Sequence, residues 1–137
     1  MENRTVPTIL VADDYDDVRK ILKNWLQQHD YRVVEATSGK EAVEIAEREL
    51  PDLILLDLAM PEIDGFGAAF LIRTHEKLRD VPIIGISAYG ELGIDVQLKI
   101  DPKAVGFNDY LAKPFSPDKL IGLVHRYLGE NKQPSVG

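Results

Sequence analysis

Four apolar runs of strand length in this chain end in polar residues. Ile9-Leu10-Val11-Ala12 runs into Asp13 and Asp14, Leu53-Ile54-Leu55-Leu56 into Asp57, Ile83-Ile84-Gly85-Ile86 into Ser87, and Tyr110-Leu111-Ala112 into Lys113. The stretches between them have the period of helices, and such β-α alternation folds as a parallel sheet covered by helices on both faces. Five β-α pairs are present. In an open parallel sheet every strand C-terminus lies at one edge, so residues far apart in sequence meet in a single crevice there. Three carboxylates, one hydroxyl and one ammonium are thus expected to converge.

The first helix is the clearest: Val18, Ile21, Leu22, Trp25 and Leu26 follow the spacing that places apolar groups on one stripe. Arg19, Lys20, Lys23 and Asn24 fall on the opposite face, which is expected to be wet. Ser38-Gly39-Lys40-Glu41 has the form of a capping box and starts the second helix near residue 39. Asp64 is expected to cap a third helix running to about Lys77, and Ser116 a fifth with the stripe Leu120, Leu123/Val124 and Tyr127/Leu128. A fourth, poorly defined helix is expected within residues 91–105. Central parallel strands read as continuous apolar runs and edge strands alternate. The runs at 9–12, 53–56 and 83–86 are therefore central, whereas Tyr31–Ala36 and Phe107–Leu111 belong at the edges. The resulting fold class is α/β, a doubly wound five-stranded parallel sheet in the order 2-1-3-4-5 with five helices. Right-handed crossovers put a switch point between strands one and three, where Asp13, Asp14 and Asp57 face one another.

The length of 137 residues fits one domain, which would bury roughly two thirds of its unfolded surface. Residues 1–6 read as a short extension, 7–129 as the domain, and the polar stretch 130–137 as a flexible tail. No run approaches the ~20 apolar residues of a membrane span, so no membrane insertion is expected. Without an apolar leader core or any cysteine, the expected location is the cytoplasm. A net charge of −7 with no basic cluster argues against direct nucleic-acid binding.

Taken singly, each polar strand end has a structural explanation. Asp13 or Asp14 could be a helix cap, where Asp is strongly favoured, Ser87 a turn residue and Lys113 a solvated charge. Asp57 is harder to explain so, because an unpaired charge at the rim of a core is costly. Two unit charges ~4 Å apart at an effective dielectric of ~20 repel by about 4 kcal/mol, so three aspartates together require cations. A metal ion and Lys113 would supply them. A hard oxygen set without His or Cys suits Mg²⁺, which keeps several waters and also binds phosphate oxygens. With phosphate present, Asp57 can act as a carboxylate nucleophile while Mg²⁺ and Lys113 neutralise the phosphoryl oxygens and Ser87 donates a hydrogen bond.

The set Asp13-Asp14, Leu55-Leu56-Asp57-Leu58-Ala59-Met60-Pro61 followed by Asp64-Gly65, Ser87-Ala88, and Tyr110-Leu111-Ala112-Lys113-Pro114-Phe115 resembles the receiver domain of two-component response regulators, the CheY-like family, over about residues 7–129. The resemblance implies a flavodoxin-like fold, with Asp57 as phosphoacceptor and Mg²⁺ held by Asp13, Asp14, Asp57 and the backbone carbonyl of Ala59. It makes Lys113 the phosphate-binding lysine, Ser87 the switch hydroxyl, Tyr110 the switch aromatic and Lys113-Pro114 a cis peptide. It also implies phosphoryl transfer from a histidine kinase or phosphotransfer protein. The output would be altered affinity of the helix 4, strand 5, helix 5 surface for an unidentified downstream protein, delivered noncovalently or by passing the phosphoryl group on, as a monomer or phosphorylation-dependent dimer. Such a chain is a switch and not a metabolic enzyme, its catalysis limited to its own phosphorylation and dephosphorylation.

Some positions vary from the pattern. Ser87 replaces the commoner Thr, and the twenty-six positions from Ser87 to Lys113 exceed the usual spacing, with the excess expected near Gly90–Gly93 or Asp101–Lys103. Ala59 and Tyr89 occupy positions that tune hydrolysis in the family, and the Tyr89 ring is expected to shield the phosphoaspartate from water. Alternatives are a nonphosphorylated interaction module and a phosphohydrolase resembling the haloacid dehalogenase superfamily. The second would need an aspartate where Ala59 stands, as its proton shuttle. A flavin-binding module fits less well still, because Asp13-Asp14 would repel a cofactor phosphate.

Overall fold

Side chains alternate along a strand, and here the alternation divides the core in two. Ile9, Val11, Leu53, Leu55, Ile84, Ile86 and Leu111 pack on one face of the sheet, and Leu10, Ala12, Ile54, Leu56 and Ile83 on the other. The computed structural model describes residues 6–88 and 106–129. The strands are β1 (Thr8–Ala12), β2 (Arg32–Ala36), β3 (Leu53–Asp57), β4 (Ile83–Ala88) and β5 (Asp109–Lys113). All pairings are parallel, in the order β2-β1-β3-β4-β5. This is the expected order, with β3 buried throughout and β2 largely half-buried at an edge.

Among the described residues the helices are α1 (Asp16–Gln27), α2 (Gly39–Glu49), α3 (Gly65–Arg73) and α4 (Pro117–Leu128), the last being the fifth expected from the sequence. Leu22 and Leu26 of α1 pack with Leu120, Ile121 and Val124 of α4 on one face, whereas α2 and α3 cover the other with Ala42, Ile45, Ala46, Ala68, Ala69 and Ile72. The fourth expected helix, the suspected insertion, Tyr89 and the tail lie outside the described residues.

Local starts follow the caps. Ser38 Oγ accepts from Glu41 N at 3.1 Å, Asp64 Oδ1 from Gly67 N at 2.9 Å, and Ser116 Oγ from Lys119 N at 3.1 Å. Four expectations change. Glu41 reaches back to Thr37 rather than Ser38, accepting from its backbone N–H at 2.6 Å and its hydroxyl at 2.8 Å. Helix α3 stops at Arg73 rather than near Lys77, because the Thr74 hydroxyl donates to Leu71 O at 2.6 Å and His75 opens a separate 3₁₀ turn, Glu76–Leu78. Ile21 belongs to the apolar stripe but is 49% exposed. Arg19, placed on the wet face, has a side chain only 11% exposed because it finds acceptors on β2 and at the end of β1.

Candidate functional site

The pairing registers carry the strand-end residues to one level. Ala12 lies opposite Leu56, so Asp13 and Asp57 follow side by side; Asp57 lies opposite Ile86, Ser87 opposite Ala112, and Ala88 opposite Lys113. Asp13, Asp57 and Ser87 are each at most 2% exposed. One carboxylate oxygen from each of Asp13, Asp14 and Asp57 lies within 4.8 Å of the others.

Neither Asp13 nor Asp14 caps α1. That position is Tyr15, which contributes no side-chain cap, and Asp13 Oδ1 accepts from Tyr15 N at 2.9 Å in a tight turn ahead of the helix. The helix-cap explanation for the pair therefore falls away. Asp13 Oδ2 pairs with Lys113 Nζ at 3.4 Å across the crevice, and Asp57 Oδ1 accepts from Ala59 N at 3.2 Å. Asp14 Oδ1 is buried with no hydrogen-bond partner among the described residues. One ammonium against three carboxylates leaves the crevice acidic, and a buried carboxylate oxygen without a donor is costly unless a cation takes its lone pairs. Among the described residues only oxygen ligands are offered, a set that fits a small hard dication such as Mg²⁺.

Neighbouring glycines shape the crevice. A Cβ on Gly65 would lie 2.7 Å from Asp57 O and Leu58 Cα, so the Asp64-Gly65 pair lets α3 begin directly against the end of β3. A Cβ on Gly85 would lie 2.9 to 3.0 Å from the Tyr110 ring. Tyr110 is half-buried over β4, its ring 5.3 Å from that of Phe107. The Lys113-Pro114 peptide is cis. Ala59 is half-buried beside Asp57. Beside Lys113, Val18, Ile21, Leu22, Trp25, Pro114 and Phe115 line an apolar groove of about 280 Å³.

Two residues that shape this region, Gly85 and Arg19, escaped the reading from sequence. A glycine inside an apolar central strand signals a close approach, and that cue was available at Gly85. For Arg19 the only cue was the pair of acids, Asp16 and Glu35, that it meets in space.

A family model for the response regulator receiver domain matches residues 9–125. The chain is 41% identical over 124 residues to the probable transcriptional regulator ycf27 of Guillardia theta, covering 90% of this chain and 46% of that protein. It spans about half the length of that and the next curated relatives. Among solved structures, the receiver domain of the sensor histidine kinase PA1611 from Pseudomonas aeruginosa PAO1 superimposes with a TM-score of 0.80 at 35% identity, covering 91% of this chain and 99% of that one; it holds a magnesium ion coordinated in its active-site cleft. The Vibrio cholerae chemotaxis protein CheY4 gives a TM-score of 0.80 at 28% identity, covering 90% and 99%. The chain belongs to the response regulator receiver domain family.

Proposed function

We propose that this receiver domain is a Mg²⁺-dependent phosphoacceptor whose acceptor is Asp57. The observation that carries the reading is the buried Asp57 carboxylate, set at one sheet edge with Asp13, Asp14 and Lys113 around it. A carboxylate oxygen of Asp57 attacks the phosphorus of a phosphohistidine on a histidine kinase or phosphotransfer protein. The P–N bond breaks, and its electron pair leaves with the imidazole, which takes up a proton. Lys113 neutralises phosphoryl oxygens, its ammonium already held at the crevice by Asp13. Ser87, on the strand beside Asp57, donates its hydroxyl to the phosphoryl group once it is formed. Asp13, Asp14 and Asp57 with the Ala59 carbonyl would hold Mg²⁺, which when bound neutralises charge on the transferring group.

The donor has to cover the strand-end rim to reach Asp57. The apolar groove of Val18, Ile21, Trp25 and Phe115 beside Lys113 offers it a docking surface on that rim. Output is a shift between two surface conformations, with Tyr110 as switch aromatic and the surface around β5 and α4 as the part that meets a downstream protein, or a second copy after phosphorylation. Ala59 leaves no carboxylate to shuttle a proton two residues beyond Asp57, which sets the phosphohydrolase reading aside.

The test is intact mass after incubation with a small phosphodonor and Mg²⁺, for wild type, Asp57→Asn and an EDTA control. One phosphoryl increment in wild type alone is the expected result. No increment in wild type, with a histidine kinase supplied as a second donor, would leave the nonphosphorylated interaction module as the reading.

A further inference from the structure

Arg19 lies one turn into α1 with its guanidinium turned inward. Nη1 donates to the Asp13 carbonyl at 2.8 Å, Nε to Glu35 Oε1 at 3.3 Å, and Nη2 to Asp16. Glu35, near the end of β2, also accepts from Lys23 Nζ at 3.0 Å through its other oxygen. The guanidinium is thus anchored from outside the crevice while one of its arms holds the backbone at the crevice wall.

Residue 13 is fixed from four sides. Its N–H donates to Ala36 O at 3.1 Å, its carboxylate meets Tyr15 N and Lys113, and its carbonyl takes the Arg19 bond. Peptide planarity makes the direction of that carbonyl set the direction of the Asp14 N–H and the entry of the chain into Asp14. Among the described residues no donor holds Asp14 Oδ1, so its aim comes from the backbone.

We propose that Arg19 is a positioning residue for the acidic crevice: anchored on Glu35, it holds the Asp13 carbonyl and so aims the Asp14 carboxylate at the cation. The inference rests on the Mg²⁺-dependent reading above. It also makes an opposite prediction from simple charge. A fixed positive charge near a dication site repels the dication, so its removal would tighten binding if charge were all that mattered. Removal of a positioning group loosens it, by about tenfold where an outer partner orients a metal ligand.

The experiment is Mg²⁺ titration calorimetry, with Mn²⁺ paramagnetic resonance as a second probe, on the full chain. Arg19→Met keeps the apolar stem and loses the donors, Arg19→Lys keeps the charge and one donor, and Lys20→Met removes a charge from the exposed neighbouring position. The expected result is about tenfold weaker binding in Arg19→Met, partial recovery in Arg19→Lys, and no weakening in Lys20→Met. Phosphorylation by a small phosphodonor should then show a raised Mg²⁺ requirement in Arg19→Met, with a rate at saturating Mg²⁺ close to that of wild type. Should Arg19→Met not fold, Arg19→Gln removes the same charge and the Nη1 donor while keeping a polar side chain, and weaker Mg²⁺ binding is expected there too. Unchanged or tighter binding in Arg19→Met, or in Arg19→Gln if that variant must stand in, overturns the proposal. Wild type that neither binds Mg²⁺ nor accepts phosphoryl overturns the phosphoacceptor reading itself, and this inference with it.

Discussion

At the scale of single residues, the crevice sets charge against charge. Two carboxylates at 4.8 Å, the outer bound of the group, repel by about 3.5 kcal/mol at an effective dielectric of ~20, and Lys113 offsets only part of this. The fold therefore holds Asp14 where it weakens the metal-free protein. Asp14→Asn is expected to raise metal-free stability by about 1–2 kcal/mol in urea unfolding, because one repelling charge is gone. The same variant should lose most of the stabilisation that Mg²⁺ gives wild type, since a ligand stabilises only in proportion to its affinity for the folded state. A drop in metal-free stability would show that Asp14 serves the fold through contacts rather than opposing it through charge.

At the scale of elements, α2 shows how a start signal becomes a pH dependence. The Thr37 backbone N–H, and after it the Thr37 hydroxyl, hold the Glu41 carboxyl below its ordinary range. The folded value lies under the unfolded one, roughly 4.3. The contribution is therefore complete above about pH 4.3 and is lost as pH falls through the folded value. In a pH series of thermal melts, wild type should lose its margin over Glu41→Gln as the buffer is acidified through that window; a constant margin would show that the carboxylate bond adds nothing beyond an amide. The tight seat of α2 comes from elsewhere. A Cβ on Gly39 would stand 2.1 Å from Ile63 O, so the loop after β3 packs directly on the first turn of α2. That contact ties the Asp57 loop to the edge of the molecule.

At the scale of the whole molecule, the two sheet edges have different duties. The C-terminal edge gathers the acids, and the N-terminal edge is clasped by Arg73. Its guanidinium donates to Leu78 O, Arg79 O and Val81 O, and to Gly106 O and Asn108 Oδ1, at 2.5 to 3.3 Å. Burial pulls its pKa below the ordinary arginine value, yet the guanidinium stays charged, since that value is far above neutral pH. Asn108 Oδ1 also accepts from Ile83 N at 2.8 Å, and Asn108 O from the Tyr127 hydroxyl at 2.9 Å, so α3, β4, β5 and α4 meet at one residue. Arg73→Met is expected to cost about 3 kcal/mol in denaturant unfolding by stranding several half-buried carbonyls. Because the clasp lies at the opposite edge, Mg²⁺ affinity in the folded fraction should stay within about twofold of wild type. A large loss of affinity would show the two edges to be coupled.

The properties that depend on near neighbours were legible in the sequence. Strand and helix periods, the caps at Ser38, Asp64 and Ser116, the edge character of β2 and the chemistry at the strand ends all arise within a few residues, and the parallel topology then forces the ends together. Tertiary structure alone decided what distant partners control. Arg19 falls on the same polar face as the solvated Lys20, and it turns inward only because Glu35, sixteen positions away, and the Asp13 carbonyl await it there. Glycine at position 85 is needed because the Tyr110 ring from β5 and the Leu58 side chain both lie on it. Helix α3 ends early because a threonine hydroxyl competes for its last carbonyls. A period records which face a residue takes; burial of a charge depends on whether the rest of the chain brings it an acceptor.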